Sequence, residues 1–242
     1  MRTENALRPE TQSAYRRHSI ELAAGVLKAL PGRLFWALDH GHAEGVGRYA
    51  RLLSLHLRLS ALEAAQIGSA ATLHDVGKIG LPDSLLQKVA PLDDNEWEIV
   101  KRHPLIGASL LSGNSTPVLN LARLIALTHH ENWDGSGYPN GIQGESIPLA
   151  GRITMLVDRY DALRSRRPYK AALSHKRTCE VLLLGDGRSE PKHFDPRVLE
   201  AFRKNQDQFS AVPRSAPETL CAEDRLSDRR GAMGSLRHSV TR

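Results

Sequence analysis

The sequence predicts an all-α fold, a bundle of helices around one core. Apolar residues recur at helical spacing, as in Val46, Tyr49, Ala50, Leu53 and Leu57, and no long stretch alternates strictly between polar and apolar residues. Aromatic residues make up only 5% of the 242-residue chain, which also favours helices over sheets. The apolar share of 40% is sufficient for a buried core.

Capping residues and prolines place the helices in order along the chain. The predicted starts are Ser19, Ser60 with Glu63 as a capping box, Asp93 with Glu96, Pro104, Pro117, Pro148, Ser174 and Asp195 with Pro196. The first of these helices stops at Pro31 and Gly32. The helix that opens at Ser60 is predicted to run to Asp75, and the helix from Pro117 is predicted to run into His129 and His130.

The chain is predicted to contain one domain with flanking segments. Residues 1–17 are polar and charged and are predicted to be a flexible tail, followed by an N-terminal helix at 18–33 and a single domain at 34–209. Residues 210–242 are rich in Ser, Pro, Arg, Glu and Asp without an apolar period, which predicts disorder.

Composition excludes several classes of function. The two cysteines, Cys179 and Cys221, form no paired motif, so any metal must be held by nitrogen and oxygen ligands. The apolar segment Ile20–Leu38 is interrupted by charges and a proline, and the start lacks a secretory signal, so we expect a cytoplasmic protein without a membrane anchor. The formal charge of +6 suits an anionic substrate, although a solvated basic surface is the favoured explanation of the charge alone. Basic residues are scattered with few aromatics, which does not indicate a surface for a nucleic-acid polymer.

Histidines and aspartates recur at the ends of the predicted helices. His42, His74 with Asp75, His103, His129 with His130, and Asp158 are separated by 26 to 32 residues (42 to 74, 74 to 103, 103 to 129 and 130 to 158). Each gap matches about one helix and its connection, so successive helices of a bundle would deliver ligands to one centre.

The number of candidate ligands indicates two metal ions. Five histidines and two aspartates exceed the three protein ligands of a catalytic zinc, and a carboxylate such as Asp75 can bridge a pair of ions. Mixed imidazole and carboxylate ligation suits Fe, Mn or Zn. Paired ions roughly 3.5 to 4 Å apart hydrolyse phosphate esters, so a phosphodiester is the expected substrate. Lys78 lies three residues after Asp75 and would hold a phosphate oxygen, or else be a solvated lysine at a helix end.

The sequence resembles the HD-GYP family, a branch of the HD metal-dependent phosphohydrolases, over residues 34–205. Four ordered stretches carry the resemblance, namely His74-Asp75-Val76-Gly77-Lys78, His129-His130-Glu131 with Asp134-Gly135-Ser136-Gly137-Tyr138-Pro139, Asp158 to Leu163 with Arg167-Pro168-Tyr169-Lys170, and His193-Phe194-Asp195-Pro196. The resemblance implies an HD-domain helical bundle with an HD-GYP C-terminal extension. It also implies hydrolysis of cyclic di-GMP to pGpG, and in many members on to GMP.

The resemblance further implies roles for individual residues. The ligands of two divalent ions, Fe or Mn ahead of Zn, Ni or Mg, would be His42, His74, Asp75, His103, His129, His130 and Asp158. Asp75 would bridge the ions and act with Lys78 in catalysis, and Lys78, Tyr138, Arg167 and Lys170 would bind the substrate. Asp161 is interpreted as a carboxylate on the helix surface or one that orients a ligand.

The sequence departs from the family before and after His42. Gly45 stands where members usually carry an arginine, and Leu38 stands where members with three metals carry a glutamate, so two ions are expected. His40 is an alternative to His42 as the first ligand, although the helical spacing that follows favours His42.

Two other functions remain open from the sequence. One is a catalytically weak module that docks a diguanylate cyclase of the GGDEF type, and the other is hydrolysis of another nucleotide such as cyclic GMP-AMP. A homodimer is a further expectation.

Overall fold

The structure is a computed structural model that describes residues 40–113, 116–165 and 171–213. The described residues form helices joined by turns and contain no β-strand, which confirms the predicted all-α class. The predicted tail 1–17, the helix at 18–33 and residues 214–242 lie outside the described residues, so the predicted domain limits stay predictions. Within the same described ranges, no helix combines the length and hydropathy needed to cross a bilayer. The cytoplasmic location stays a prediction.

The α-helices of the described residues follow one another with short connections. They are α1 (His40–His56), α2 (Ala61–Ala71), α3 (Asp83–Leu86), α4 (Asp94–Val100), α5 (His103–Leu110), α6 (Pro117–Thr128), α7 (Leu149–Arg164), α8 (His175–Leu184) and α9 (Pro196–Ser210). Single 3-10 turns lie at Val76–Gly80, Gly144–Ser146 and Pro191–His193.

Most helix starts follow from the capping residues that the sequence displays. The side chain of Ser60 accepts the backbone N–H of Glu63, and the Glu63 carboxylate accepts the N–H of Ser60, at 3.2 and 2.8 Å. Asp93 and Glu96 form the same reciprocal pair at the start of α4. Since each cap satisfies backbone donors that the helix itself leaves open, these starts are fixed locally.

The predicted ends of two helices are wrong by a few residues. Helix α2 ends at Ala71, not at Asp75, because the chain tightens into successive three-residue turns such as the bond from the His74 N–H to the Ala71 carbonyl at 3.2 Å. The tighter turn lets Gly77 pack against α5, where a Cβ on Gly77 would lie 1.9 Å from the His103 carbonyl oxygen. Helix α6 ends at Thr128, so His129 is its C-cap and His130 lies in the following turn. Four candidate ligands, His74, Asp75, His129 and His130, therefore lie in turns, where successive side chains can point to one place.

The core lies between α1, α2, α6 and α7, and α9 closes one side of it. Four fully buried aromatic side chains join three of these helices: Tyr49 of α1, Tyr160 of α7, and Phe202 and Phe209 of α9. Their ring centroids are 4.9 to 5.6 Å apart. At roughly 1.5–3 kcal/mol for each fully buried large apolar side chain, this cluster anchors α9 to the ligand-bearing helices.

The last of the four motifs, His193-Phe194-Asp195-Pro196, has a structural role. Asp195 caps α9 and accepts a hydrogen bond of 2.6 Å from Arg152 of α7. The Arg152 guanidinium lies 5.5 Å from the centre of the Trp133 ring, and the Trp133 N–H donates to the His193 carbonyl at 2.8 Å. These contacts tie residues 131–139, the glycine-rich loop after α6, to the starts of α7 and α9.

Candidate metal centre

The seven predicted ligands lie together at one end of the bundle in two groups. Within each group, one nitrogen or oxygen atom of every member lies within 4.8 Å of those of the others. The first group contains Asp75, His103, His129 and His130, and the second contains His42, His74 and Asp158. Helix ends and turns supply most of them, as the spacing predicts, while Asp158 projects from within α7. The side chain of the alternative ligand, His40, lies outside the described residues.

Three of the histidines are oriented by backbone carbonyls of the preceding turn. The Nδ1 of His74 lies 2.9 Å from the Ala71 oxygen, that of His103 lies 2.7 Å from the Val100 oxygen, and that of His129 lies 3.0 Å from the Ala126 oxygen. A carbonyl oxygen can only accept, so each Nδ1 carries the hydrogen. In a neutral ring the Nε2 atom then holds a free lone pair that faces the cluster. This is the tautomer that ligates a metal through Nε2.

Acceptor atoms face one another inside the cluster, and this arrangement fits a bound cation. The Nε2 atoms of His103 and His129 are 3.4 Å apart, and the Asp75 carboxylate lies 3.3 Å from the Nε2 of His103 and 3.3 Å from that of His74. The Nε2 of His74 and the Oδ1 of Asp75 are buried without a hydrogen-bond partner. Buried acceptors of this kind are costly unless positive charge lies between them, so the donor set suits divalent ions.

The pKa shifts of Asp75, Asp158, His103 and His130 keep these four side chains in a ligating state. Burial raises the pKa of Asp75, but Lys78 and His74 outweigh burial and hold it well below its usual range. Burial likewise raises the pKa of Asp158, but the hydrogen bond from His42 and the nearby histidines bring it well below normal. Burial lowers the pKa of His103 to about 4 and that of His130 below its usual range. Both carboxylates are therefore ionised and both imidazoles neutral at pH 7.

His42 is held between two carboxylates. The second, Asp161, has the orienting position, which is one of the two roles that the sequence leaves open for it. The Nε2 of His42 lies 3.0 Å from Asp158, and its Nδ1 donates to Asp161 at 2.7 Å. Burial lowers the pKa of His42, but these two hydrogen bonds outweigh burial and raise it to about 10. Asp161 is only 3% exposed. A Cβ on Gly45 would lie 2.9 Å from Asp161 Oδ1, so glycine at this position leaves room for the carboxylate.

Two of the four predicted substrate contacts are described and lie beside the cluster. The Lys78 ammonium lies 2.5 Å from Asp75 Oδ2 and is 27% exposed, so it stands between the cluster and solvent. The Tyr138 ring stacks on His130 at 4.7 Å with an angle of 25°. Burial raises the pKa of Tyr138 above its usual range, so its phenol stays neutral and can donate a hydrogen bond. Arg167 and Lys170 lie outside the described residues.

The glycine-rich loop is held by its own hydrogen bonds. Ser136 donates from its backbone and side chain to Asp134 at 3.1 and 2.6 Å, and the Tyr138 N–H donates to the His130 carbonyl at 3.1 Å. The Tyr138–Pro139 peptide bond is cis. A Cβ on Gly137 would lie 2.2 Å from the Asn132 nitrogen, so only glycine permits this close approach. The loop thus holds Tyr138 over His130.

Trp97 is a neighbour of the site that the sequence interpretation missed. Its ring centroid lies 6.0 Å from that of Tyr138, and the side chain is 44% exposed. An aromatic residue in the otherwise polar start of α4 was the available signal. The spacing of ligands gave no indication that α4 would approach the glycine-rich loop.

The fold and the cluster define an all-α protein with a divalent metal centre. A family model described as HD domain matches residues 33–198, which is more than half of the chain. The chain therefore belongs to the HD domain family, and the resemblance to its HD-GYP branch is confirmed.

Curated relatives with substantial identity bear out this placement. A cyclic di-GMP phosphodiesterase of Vibrio cholerae is 49% identical over 148 residues, covering 59% of this chain and 29% of that protein. A 3'3'-cGAMP-specific phosphodiesterase 2 of the same organism is 40% identical, covering 73% of this chain and 33% of the relative. A cyclic di-GMP phosphodiesterase of Thermotoga maritima is 41% identical, with 72% and 46% covered. The chain thus spans less than half the length of these relatives.

One solved structure confirms the fold. The HDG"Y"P protein Bd1817 of Bdellovibrio bacteriovorus superimposes with a TM-score of 0.54 at 16% identity, covering 81% of this chain and 66% of that one. This likeness supports the helical bundle alone. It does not separate a C-terminal extension from the bundle, so that division stays a prediction.

Proposed function

We propose that this protein is a metal-dependent phosphodiesterase that hydrolyses cyclic di-GMP to pGpG and then to GMP. The observation that carries the proposal is the position of Asp75 between the two ligand groups. Its Oδ1 lies 3.3 Å from His103 Nε2 of the first group, and its Oδ2 lies 3.3 Å from His74 Nε2 of the second. One carboxylate that reaches both groups suits a bridged pair of ions. The names of relatives at 40–49% identity support the choice of a cyclic dinucleotide.

The proposal assigns the seven clustered side chains as ligands of two ions. His103, His129 and His130 would hold one ion, His42, His74 and Asp158 the other, and Asp75 both. When bound, paired divalent ions lower the pKa of a water and stabilise the oxygens of an in-line displacement. Five imidazoles with two carboxylates argue against Mg, which prefers oxygen ligands. The choice of Fe or Mn ahead of Zn and Ni rests on the resemblance to the HD-GYP family.

The remaining residues of the proposed site bind the substrate. Lys78 lies beside Asp75 and faces solvent in part, so its ammonium would hold an oxygen of the scissile phosphate. The neutral phenol of Tyr138 would donate to the substrate from the loop. Arg167 and Lys170 are proposed to bind the second phosphate or a guanine, which agrees with the net charge of +6.

Two finer parts of the proposal concern partners and location. Docking of a GGDEF-type diguanylate cyclase at the glycine-rich loop and formation of a homodimer stay predictions, as does the cytoplasmic location. Co-purification with a candidate cyclase and light scattering of the purified protein would test the first two.

Product analysis over a substrate panel tests the proposed activity. The protein is prepared anaerobically with Fe(II) or Mn(II) and incubated with cyclic di-GMP, 3'3'-cGAMP and pGpG. We expect pGpG and GMP from cyclic di-GMP, abolished by a chelator and by His74→Ala. His56→Ala is the matched control, because His56 lies away from the cluster and bonds to Gln208. A preference for 3'3'-cGAMP would show that cyclic di-GMP is not the main substrate. No turnover of any of these nucleotides by metal-loaded protein would overturn the proposed activity.

A further inference from the structure

Trp97 is an aromatic side chain that the fold leaves open to solvent. It is 44% exposed, which is more than any other described Phe, Trp or Tyr residue. It is not one of the side chains that pack against the core, and α4 contains no buried residue. Packing into the core therefore does not explain a tryptophan at this position.

The helix that carries Trp97 is nevertheless held in place. The Glu96 carboxylate accepts hydrogen bonds from the Lys88 ammonium at 2.5 Å and from the Asp93 N–H at 2.9 Å. The Asp93 side chain accepts the Glu96 N–H in return at 2.9 Å. Because these bonds fix the first turn of α4, the Trp97 ring is presented in a defined position.

A series of rings leads from the metal centre to Trp97. The His130 and Tyr138 rings are stacked with centroids 4.7 Å apart, and the next step, from Tyr138 to Trp97, is 6.0 Å with the rings at 77°. His103, of the same ligand group as His130, also lies 6.5 Å from Tyr138. Trp97 thus lies two ring contacts from a candidate ligand, His130.

We propose that Trp97 stacks on a purine base of the cyclic dinucleotide while its scissile phosphate lies at Asp75 and Lys78. This inference rests on the proposed function and adds a stacking contact to a base, whereas Lys78 is assigned to the scissile phosphate. In a nucleotide, the ribose separates the base from the phosphate. A ring that binds the base should therefore lie beside the cluster that binds the phosphate, as Trp97 does. Exposed aromatic rings bind bases through stacking, with preference for rigid, pre-oriented rings.

Kinetics on two substrates test the contact. Trp97→Ala is compared with wild type, with Trp97→Phe, which keeps an aromatic face, and with Leu110→Ala, a control of similar exposure at 53%. We expect Trp97→Ala to raise KM for cyclic di-GMP about 5- to 150-fold, the loss of one stacked base. Hydrolysis of bis(p-nitrophenyl) phosphate, which has no base, should be unchanged, as should metal content. Trp97→Phe should recover most of the loss.

Two results would overturn the inference. One is an unchanged KM in Trp97→Ala, and the other is a parallel fall on both substrates, which indicates a structural role. If wild-type protein fails to cleave cyclic di-GMP, the proposed activity is wrong. The contact of Trp97 with the base is then tested by calorimetric titration of cyclic di-GMP into wild type and both variants. Binding that is weakened in Trp97→Ala and kept in Leu110→Ala supports the contact without turnover. Equal binding by both, or no binding to wild type, overturns it.

Discussion

Replacement of Asp161 by alanine is expected to weaken the binding of one metal ion and spare the other. The carboxylate lies 2.7 Å from His42 Nδ1, and both side chains are buried. A hydrogen bond to a charged group contributes about 1.5–3 kcal/mol. Loss of a carboxylate that orients a ligating histidine typically lowers metal affinity about 10- to 100-fold, or ~1.4–2.7 kcal/mol. The two estimates agree, so we expect a loss in that range at the group of His42, His74 and Asp158.

A graded pair of variants makes the prediction sharper. Asparagine at 161 can still accept the hydrogen from His42 Nδ1 but lacks the charge, so Asp161→Asn should lose less affinity than Asp161→Ala. Asp207→Ala is the matched control, because Asp207 is an exposed carboxylate on α9.

Metal titration against a competing chelator, with content measured by mass spectrometry, provides the assay. Wild type and Asp207→Ala should retain two ions over the same range of free metal. Asp161→Ala should fall to one ion at a higher concentration of free metal than wild type does. The ion at His103, His129 and His130 should be the one retained. Loss of both ions together, or no change in either, would refute the argument that Asp161 acts through His42.

Three other predictions follow from the same contacts. Gly77→Ala should lower the free energy of unfolding by about 1–3 kcal/mol or more, because the new Cβ would lie 1.9 Å from the His103 carbonyl oxygen. Urea denaturation measures this loss, and an unchanged midpoint would contradict the packing. Lys78→Gln should lower kcat about 100-fold or more at unchanged metal content, since a charge beside Asp75 is removed; equal loss of metal would instead indicate a structural lysine. In metal-free protein, His103 has a folded pKa of about 4, below its ordinary 6.5, so the unfolded state binds more protons and stability should fall as pH drops from about 6.5 to 4. His42 has a raised pKa of about 10, so its contribution should be lost as pH rises from about 6.5 to 10. Denaturation at pH 5, 7 and 9 should therefore show most stability near pH 7. A steady rise of stability with pH would contradict the His42 shift, and a steady fall would contradict the His103 shift.

Local signals in the sequence predict much of this fold because they act over one turn. Ser60 and Asp93 cap the helices that follow them through bonds to residues three positions later, so their neighbours alone determine the start. Ligand spacing works for a related reason: a helix and a short connection return the chain to the same end of the bundle. His103 and His129 meet in this way.

Contacts between distant segments could not be predicted in the same way. The end of α2 at Ala71 depends on the close approach of Gly77 to α5, which no local signal specifies. The bond between His42 and Asp161 joins residues 119 positions apart, and sequence reasoning could only offer it as one of two alternatives. The position of Trp97 beside the site could not be predicted, because it depends on where the glycine-rich loop places Tyr138. Tertiary packing decides each of these features.

Turnover as a function of metal stoichiometry tests the central claim most directly. Metal-free protein is reconstituted with increasing Mn(II) or, anaerobically, Fe(II), and cyclic di-GMP hydrolysis is followed by chromatography alongside metal content. If Asp75 joins two ions at the clustered histidines, pGpG and GMP should form only as the second ion binds, and Asp75→Ala should stay inactive at every stoichiometry. Full turnover without metal, full turnover by Asp75→Ala, or none with two ions bound would contradict the account.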